Sequence, residues 1–293
     1  MAMSHDPADL PKLIAAHPRS FQENRYVYPV LSRRSKGISI GVNLNLDKVC
    51  NFDCVYCQVD RSEQTEKEFL DLDRLADELE ATVGLVASGR LYENSRFSQV
   101  PADLRRINDI ALSGDGEPTT YRNFDEVAAV CADVRRRTGL DEVKLVLITN
   151  ASMLDRERVQ RGLQILDENN GEIWAKLDAG TERYYREISR SAIPFQRILG
   201  NLRLAACQRP IVIQSLFMRV QGEPPSAAER AAYCDRLNEV TAAGGRIKLV
   251  QIHTIARPPA EAWVTALSNE ELDELRTLVR RSTGLSVATF YAS

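Results

Sequence analysis

The chain has 293 residues, of which 44% are hydrophobic, and it carries 38 Lys and Arg residues against 41 Asp and Glu residues. This length and apolar content allow one large buried core, and we expect one domain the size of an α/β barrel. The formal net charge of −3 lacks the basic excess that is typical of a dedicated nucleic-acid-binding protein.

The amino-terminal sequence MAMSHDPADLPKLIAAHPRS carries Pro and acidic residues where a secretory signal peptide has a basic start and an apolar run. No apolar stretch approaches the roughly 18 residues that span a bilayer. We therefore expect a cytoplasmic protein that contacts no membrane and keeps its thiols reduced. Residues 1–30 are predicted to form an irregular extension, and residues 31–293 a barrel core with a C-terminal helix.

Short β-branched and apolar runs alternate with helical patterns, which is typical of a parallel sheet built from βα units. The predicted strands cover residues 38–45, 109–114, 143–150, 172–178, 211–218 and 247–255. Helices are predicted between them, one after the N-cap Asp71 and two after the capping-box pairs Ser226/Glu229 and Ser268/Glu271. Six such units fit either an open sheet or an incomplete barrel, and periodicity does not choose between the two.

Several of these strands carry polar side chains towards their C-terminal ends. In parallel α/β proteins this is the edge where the loops face a common mouth and where barrel active sites lie. We therefore predict a site there. The polar residues concerned are Asn43, Asn45, Ser113, Asn150, Lys176, Asp178, Gln214, Gln251 and His253.

Three of the six cysteines, Cys50, Cys54 and Cys57, form the pattern Cys-x3-Cys-x2-Cys directly after the first predicted strand. Iron–sulfur clusters normally take four cysteine ligands, so three thiolates predict a cluster with one iron open to a non-protein ligand. A structural zinc site would need a fourth ligand, and the three histidines offer no pair at short spacing. A disulfide is disfavoured in a reducing compartment.

This cysteine loop, with aromatic Tyr56 before the last cysteine, resembles the signature loop of the radical S-adenosylmethionine (SAM) superfamily. The segment SGDGEPT after the second strand resembles the glycine-rich motif that contacts the methionyl amino group of SAM in relatives. Asp115 stands where glycine is commoner. The matching residues, all predicted to bind the cofactor, are Ser113, Gly114, Asp115, Gly116 and Glu117.

The overall pattern most resembles bacterial relatives of the wyosine-tRNA synthesis radical SAM proteins, over residues 26–262. The resemblance implies a partial (β/α)6 TIM-type barrel of parallel strands, with a [4Fe–4S] cluster and SAM as cofactors. Reductive cleavage of SAM would give a 5′-deoxyadenosyl radical that abstracts hydrogen from a substrate. The electron donor would be a flavodoxin or a ferredoxin.

The chain departs from the wyosine enzymes because it has no cysteine before Cys50 that could bind a second cluster. This difference argues against the same tRNA-modifying reaction, whereas the resemblance favours tRNA. The substrate therefore stays open between a tRNA base, a peptide and a small molecule. The alternative from a different class is a non-enzymatic zinc or iron–sulfur binding module.

The remaining candidates come from strand ends, and each has a structural alternative. Asn150 either contacts the ribose or carboxylate of SAM or caps the following turn. Lys176 and Asp178 share one face of their strand and are predicted to act in binding and catalysis, the alternatives being a mutually satisfied ion pair or an imine at Lys176. Gln214 and His253 are either cofactor-binding residues or hydrogen-bonded core residues.

Overall fold

A computed structural model describes residues 19–32, 34–61 and 69–292 of the chain. An eight-stranded sheet is its main feature, and a separate two-stranded antiparallel pair accompanies it. The strands are β1 Val27–Ser32, β2 Gly37–Val42, β3 Ile107–Leu112, β4 Lys144–Thr149, β5 Gly171–Lys176, β6 Ile211–Leu216, β7 Met218–Val220, β8 Ile247–His253, β9 Val264–Ala266 and β10 Val287–Phe290.

The main sheet runs in the order β1-β2-β3-β4-β5-β6-β8-β10, so its neighbours follow almost the order of the chain. Strand β1 pairs with β2 antiparallel, and every other pairing in this sheet is parallel. The sheet curls into a half-barrel, which confirms the predicted partial barrel and rules out the open-sheet alternative. β7 and β9 form the separate pair.

Helices cover the outer face of the sheet, and their apolar sides pack on buried strand residues such as Ile38, Ile40 and Val42. None of the helices among the described residues is long and apolar enough to cross a bilayer. The α-helices are α1 Leu72–Ala87, α2 Phe124–Arg137, α3 Glu157–Glu168, α4 Glu182–Ser189, α5 Phe195–Gln208, α6 Ala227–Ala242 and α7 Asn269–Thr283.

The predicted helix starts are confirmed at their N-caps. Asp71 accepts hydrogen bonds from the first turn of α1, and Ser268 and Glu271 form a complete capping box at α7. At α6 only half of the predicted box exists, because Ser226 accepts from the Glu229 amide while the Glu229 carboxylate turns away. That carboxylate accepts from the backbone amide of Gly180 and thereby fixes the loop after β5.

The six predicted strands correspond to β2, β3, β4, β5, β6 and β8, but several end earlier than predicted. Asn43 and Asp178 lie just beyond their strands, where the Asn43 side chain donates to Asp115 of the glycine-rich turn and the Asp178 carboxylate accepts from Tyr56 of the cysteine loop. The predicted strand 211–218 divides between β6 and β7. Five of the nine polar residues predicted at strand ends therefore lie in the loops at the barrel mouth, namely Asn43, Asn45, Ser113, Asn150 and Asp178.

Two strands of the main sheet were not predicted. Strand β1 begins at Val27, inside the stretch expected to be irregular, while residues 1–18 lie outside the described residues. Strand β10 follows α7, so the predicted C-terminal helix is succeeded by a further strand. β10 has only four residues, all half-buried, and such a short run gives little periodic signal.

Candidate active site

A cavity of about 310 Å³ opens at the C-terminal ends of the parallel strands and extends into the barrel interior. We call the end that carries the cysteine loop the cavity mouth, and the opposite end the barrel floor. Twelve predicted site residues line this cavity, namely Cys50, Cys54, Tyr56, Cys57, Ser113, Gly114, Gly116, Glu117, Asn150, Lys176, Gln214 and His253. Asp115 lines a smaller adjoining pocket, and Asp178 lies behind Tyr56.

The cysteine loop is held by backbone hydrogen bonds on two sides. Its Val55 amide donates to the Ile188 carbonyl near the end of α4, over 2.9 Å, while the Val55 carbonyl accepts from Glu261. The Ala260 amide donates to the Cys57 carbonyl over 2.8 Å. The loop backbone is therefore fixed between α4 and the segment that precedes β9, and its three thiols face one cavity.

Burial raises the pKa of the Cys54 thiol to about 12, although the Lys176 ammonium opposes the shift. Burial also raises the pKa of Cys50, and the nearby Glu117 carboxylate adds to the rise. Both thiols therefore favour the neutral form until a cation binds. Metal ions are bound by thiolates, so coordination would release these protons and supply the missing charge compensation.

The donor set fits a cubane cluster. Among residues 19–32, 34–61 and 69–292, no three His, Cys, Asp or Glu side chains converge as closely as one metal ion requires. A [4Fe–4S] cluster needs no such convergence because each thiolate binds a different iron. Three thiols that line one cavity match that arrangement, and Cys50, Cys54 and Cys57 are the residues that would hold it.

The glycine-rich turn packs closely against β2 and the cysteine loop. A Cβ on Gly116 would lie 2.0 Å from the Val49 carbonyl oxygen, and one on Gly114 would lie 2.1 Å from Asn43 Oδ1. Asn43 also accepts from the Asp115 amide at 3.1 Å and donates to its carboxylate at 2.6 Å. Glycine is therefore required for the approach of the two backbones.

Glu117 is engaged within the chain. Its Oε1 accepts from the amide and the hydroxyl of Thr119 and from the Thr149 hydroxyl, and its Oε2 accepts from the Asn150 amide at 2.7 Å. Burial raises its pKa, while these hydrogen bonds oppose the rise. The carboxylate thus joins the glycine-rich turn to the end of β4, and its predicted contact with the SAM ammonium stays a prediction.

Asn150 caps the turn after β4, as one of the two alternatives predicted. Its Oδ1 accepts from the Ser152 amide at 3.0 Å, and its Nδ2 donates to Asn51 Oδ1 at 2.8 Å. Asn51 in turn donates to the Ser152 hydroxyl. Asn150 therefore positions the cysteine loop from β4 while it also lines the cavity.

Lys176, Asp178 and Tyr56 form one network beside Cys54. The Lys176 ammonium donates to Tyr56 Oη at 2.8 Å and lies 3.5 Å from Asp178 Oδ2, which accepts from the Tyr56 hydroxyl. Asp178 Oδ1 accepts from the Leu216 amide. The ion-pair alternative is thus present, and among the described residues these contacts use two of the three N–H donors of Lys176.

The weaker candidates have partners of their own. Gln214 is buried and donates to Gln251 at 3.3 Å, which is the core hydrogen bond given as its alternative. The Ser113 hydroxyl lies 3.5 Å from the hydroxyl of Tyr28. His253 lines the cavity, and its carbonyl accepts from the Phe217 amide.

The barrel floor holds a polar cluster that sequence reasoning missed. Glu172 accepts from Lys144 at 3.0 Å, from Lys248 at 2.6 Å and from the Trp174 indole at 2.8 Å. The guanidinium of Arg34 lies 5.3 Å from the Trp174 ring centroid and lines the cavity. These residues come from four different elements, so no local spacing could have grouped them.

Arg61 and Arg19 were also missed at the mouth. Arg61 donates to Cys57 Sγ at 2.9 Å, and Arg19 forms an ion pair with Asp115 at 2.6 Å. Arg61 follows the last cysteine by four residues, which is the only sequence signal that could have indicated it. Cys131, Cys207 and Cys234 do not line the cavity.

The chain is similar in sequence to several UPF0026 proteins. A UPF0026 protein of Helicobacter pylori (strain J99) is 24% identical over 254 residues, which cover 83% of this chain and 70% of that protein. UPF0026 proteins of Methanocaldococcus jannaschii and Synechocystis are 28% and 29% identical over 55% and 60% of this chain. The aligned segments span only 43% and 58% of those two relatives, less than two thirds of either.

Two solved structures share the fold. TYW1 with a lysine-pyruvate adduct bound has a TM-score of 0.55 and 14% identity, with 94% of this chain and 82% of that chain covered. Archaeal TYW1 has a TM-score of 0.50 and 13% identity, with 84% and 72% covered. The sequence model of the radical SAM superfamily matches residues 44–223, more than half of the chain. The chain belongs to the radical SAM superfamily.

Proposed function

We propose that this protein is an enzyme that cleaves SAM reductively at a [4Fe–4S] cluster held by Cys50, Cys54 and Cys57. The observation that carries the proposal is that the three thiols and the glycine-rich turn line one cavity at the mouth of a partial barrel. When bound, the cluster would supply the electron that cleaves SAM to methionine and a 5′-deoxyadenosyl radical, which abstracts a hydrogen atom from the substrate.

The residues of the chain would bind and orient the nucleotide. The glycine-rich turn brings backbone groups close to the ligand, because Gly114 and Gly116 allow the approach. The Lys176 ammonium, with Asp178 as its counter-ion, has a donor for a carboxylate of SAM or of the substrate. Burial lowers the pKa of Lys176, but Asp178 and the neighbouring thiols outweigh this effect and raise it above its ordinary value. The raised pKa argues against the imine alternative, since imine formation needs a neutral amine.

The reductant that we propose is a flavodoxin or a ferredoxin, and the substrate is a tRNA base, a peptide or a small molecule. The sequence resemblance to the wyosine-tRNA synthesis proteins favours tRNA, whereas the lack of cysteines before Cys50 argues against the wyosine reaction. Release of 5′-deoxyadenosine that depends on added tRNA, peptide pools or metabolite pools would distinguish the three substrate classes.

Replacing each cluster cysteine tests the proposal. After anaerobic reconstitution the wild-type protein should be brown, contain about four irons per chain and release 5′-deoxyadenosine from SAM when reduced. Cys50→Ala, Cys54→Ala and Cys57→Ala should each lose the cluster and the product, because each removes one of the three proposed ligands. The matched control is Cys207→Ala, an exposed thiol outside the cavity, which should keep both.

Two results would contradict the proposal. Normal iron content and 5′-deoxyadenosine release in any one of the three variants would refute the assignment of that ligand. A colourless wild-type protein with one bound zinc would favour the non-enzymatic module instead.

A further inference from the structure

The side chain of Arg61 connects the three segments that build the cavity mouth. Its Nε donates to the Lys48 carbonyl at 3.1 Å, its Nη1 to Cys57 Sγ at 2.9 Å and its Nη2 to the Asp115 carbonyl at 3.1 Å. The start of the cysteine loop, its last cysteine and the glycine-rich turn thus share one guanidinium. Each contact uses a different nitrogen, so the planar group is fixed in orientation.

This arrangement differs from that of an ordinary surface arginine. A solvated arginine keeps its rotamer freedom, and holding it in one conformation costs about 2 kcal/mol of side-chain entropy. Here the fixed contacts direct one N–H at a sulfur that the cluster would need. A lysine could not reproduce the three contacts, because its single ammonium lacks the fork of separate donors.

Among the residues that the structure describes, no carboxylate offsets the charge of Arg61. Its acceptors within the described part of the chain are two carbonyls and one thiol, and no ion pair to Asp or Glu is found for it there. Lys176 differs, since Asp178 lies 3.5 Å from its ammonium and compensates its charge. Compared with Lys176, Arg61 therefore has less of its positive charge compensated by carboxylates of the described residues.

We propose that Arg61 is a positioning residue that raises the reduction potential of the cluster by donating a hydrogen bond to the Cys57 thiolate. This inference rests on the proposed function. On reduction, one electron from the flavodoxin or ferredoxin enters the cluster, whose total charge becomes one unit more negative. A cation and a hydrogen bond at a ligand sulfur stabilise the more negative state more strongly, so they raise the potential.

The test is a redox titration of the reconstituted wild-type protein and of Arg61→Met, followed by the electron paramagnetic resonance signal of the reduced cluster. We expect the equilibrium constant for one-electron reduction to fall about tenfold in Arg61→Met, which corresponds to a potential lower by about 59 mV. Arg61→Lys keeps the charge without the fork, so its potential should lie between the two.

The matched control is Arg190→Met. Arg190 also contacts the cysteine loop, but its partners are the carboxylates of Asp53 and Glu261, at 3.7 Å and 2.6 Å. Removing it changes the charge near the loop without removing a hydrogen bond to sulfur. The potential of this variant should stay close to that of the wild type.

Several results would contradict the proposed role of Arg61. Equal potentials in wild type, Arg61→Lys and Arg61→Met would overturn it, as would an equal drop in Arg61→Met and Arg190→Met. If Arg61→Met binds no iron, Arg61→Gln is titrated in its place. A wild-type reduction potential in both Arg61→Gln and Arg61→Lys would overturn the inference and limit Arg61 to a structural role in the loop. A wild-type protein that takes up no cluster would instead refute the proposed function itself.

Discussion

The two ends of the barrel interior differ in how far neighbouring side chains compensate a buried charge. At the floor, burial alone would raise the pKa of Glu172, but Lys248, Trp174 and Lys144 outweigh it, and the pKa lies below its ordinary value. At the mouth, burial raises the pKa of Cys54 to about 12 with too little compensation from the chain. The buried charge at the floor is compensated by neighbouring side chains, whereas the described residues at the mouth do not compensate a Cys54 thiolate.

The largest effect is expected from Gly116→Ala at the mouth. The new Cβ would lie 2.0 Å from the Val49 carbonyl oxygen, so the backbone next to Cys50 has to move. We expect cluster uptake to be lost, as measured by iron content after anaerobic reconstitution. The floor should be unaffected, because the displacement starts at the opposite end of the barrel.

Gly200→Ala is the control for this substitution. Gly200 lies within α5, and a Cβ there would meet no heavy atom within 4 Å. Alanine has the higher helix propensity, so the free energy of unfolding should rise by up to about 1 kcal/mol. Full iron content in Gly116→Ala would show that the close packing of the glycine-rich turn is not needed for the cluster.

An intermediate effect is expected from Asp178→Asn, which removes the counter-charge of Lys176 and keeps the shape of the side chain. The rate of SAM cleavage should fall about tenfold, in the range found when supporting residues around metal sites are changed. The free energy of unfolding should fall by about 2 kcal/mol, because a buried charged group loses a hydrogen-bonded partner. An unchanged rate together with the lower stability would limit Asp178 to a structural role.

The smallest effect is expected from Glu172→Gln at the floor, since the partner lysines are partly exposed to solvent. The free energy of unfolding at pH 7 should fall by about 1 kcal/mol, without a change in SAM cleavage. Because the folded-state pKa of Glu172 is lowered, its contribution exists above the ordinary pKa and is lost as the pH falls through the folded-state value.

Urea unfolding at a series of pH values below 7 measures this dependence. The difference between wild type and Glu172→Gln should shrink as the solution becomes more acidic than pH 4.5, the ordinary pKa of the side chain. A constant difference at every pH would show that packing, and not charge, explains the effect.

The sequence was sufficient for the parts of the molecule that depend on local order. Periodicity located six parallel strands, and the spacing of Cys50, Cys54 and Cys57 indicated a loop that the structure places on the cavity. Both features are carried by residues close together in the chain. Hydrophobic spacing and short cysteine intervals are therefore readable without tertiary information.

The missed features depend on residues that are distant in the chain. Glu172 on β5 can reach Lys248 on β8 because only one strand, β6, separates the two in the sheet. Asn43 can bond to Asp115 because the strands that precede them, β2 and β3, are adjacent. Strand β1 was missed because it pairs antiparallel with β2, so no crossover helix separates the two strands in the sequence. The alternation of strands and helices that located the other strands is therefore absent here. Such contacts follow from the topology, which the periodic pattern left open.

The hydrogen bonds from Ala260 and Glu261 to the cysteine loop have a consequence for biosynthesis. During translation the cysteines emerge from the ribosome long before these two residues do. The nascent chain can therefore not close the loop into its final geometry until residue 261 has left the exit tunnel. Assembly of the complete site is consequently a late event, which follows the synthesis of nearly the whole barrel.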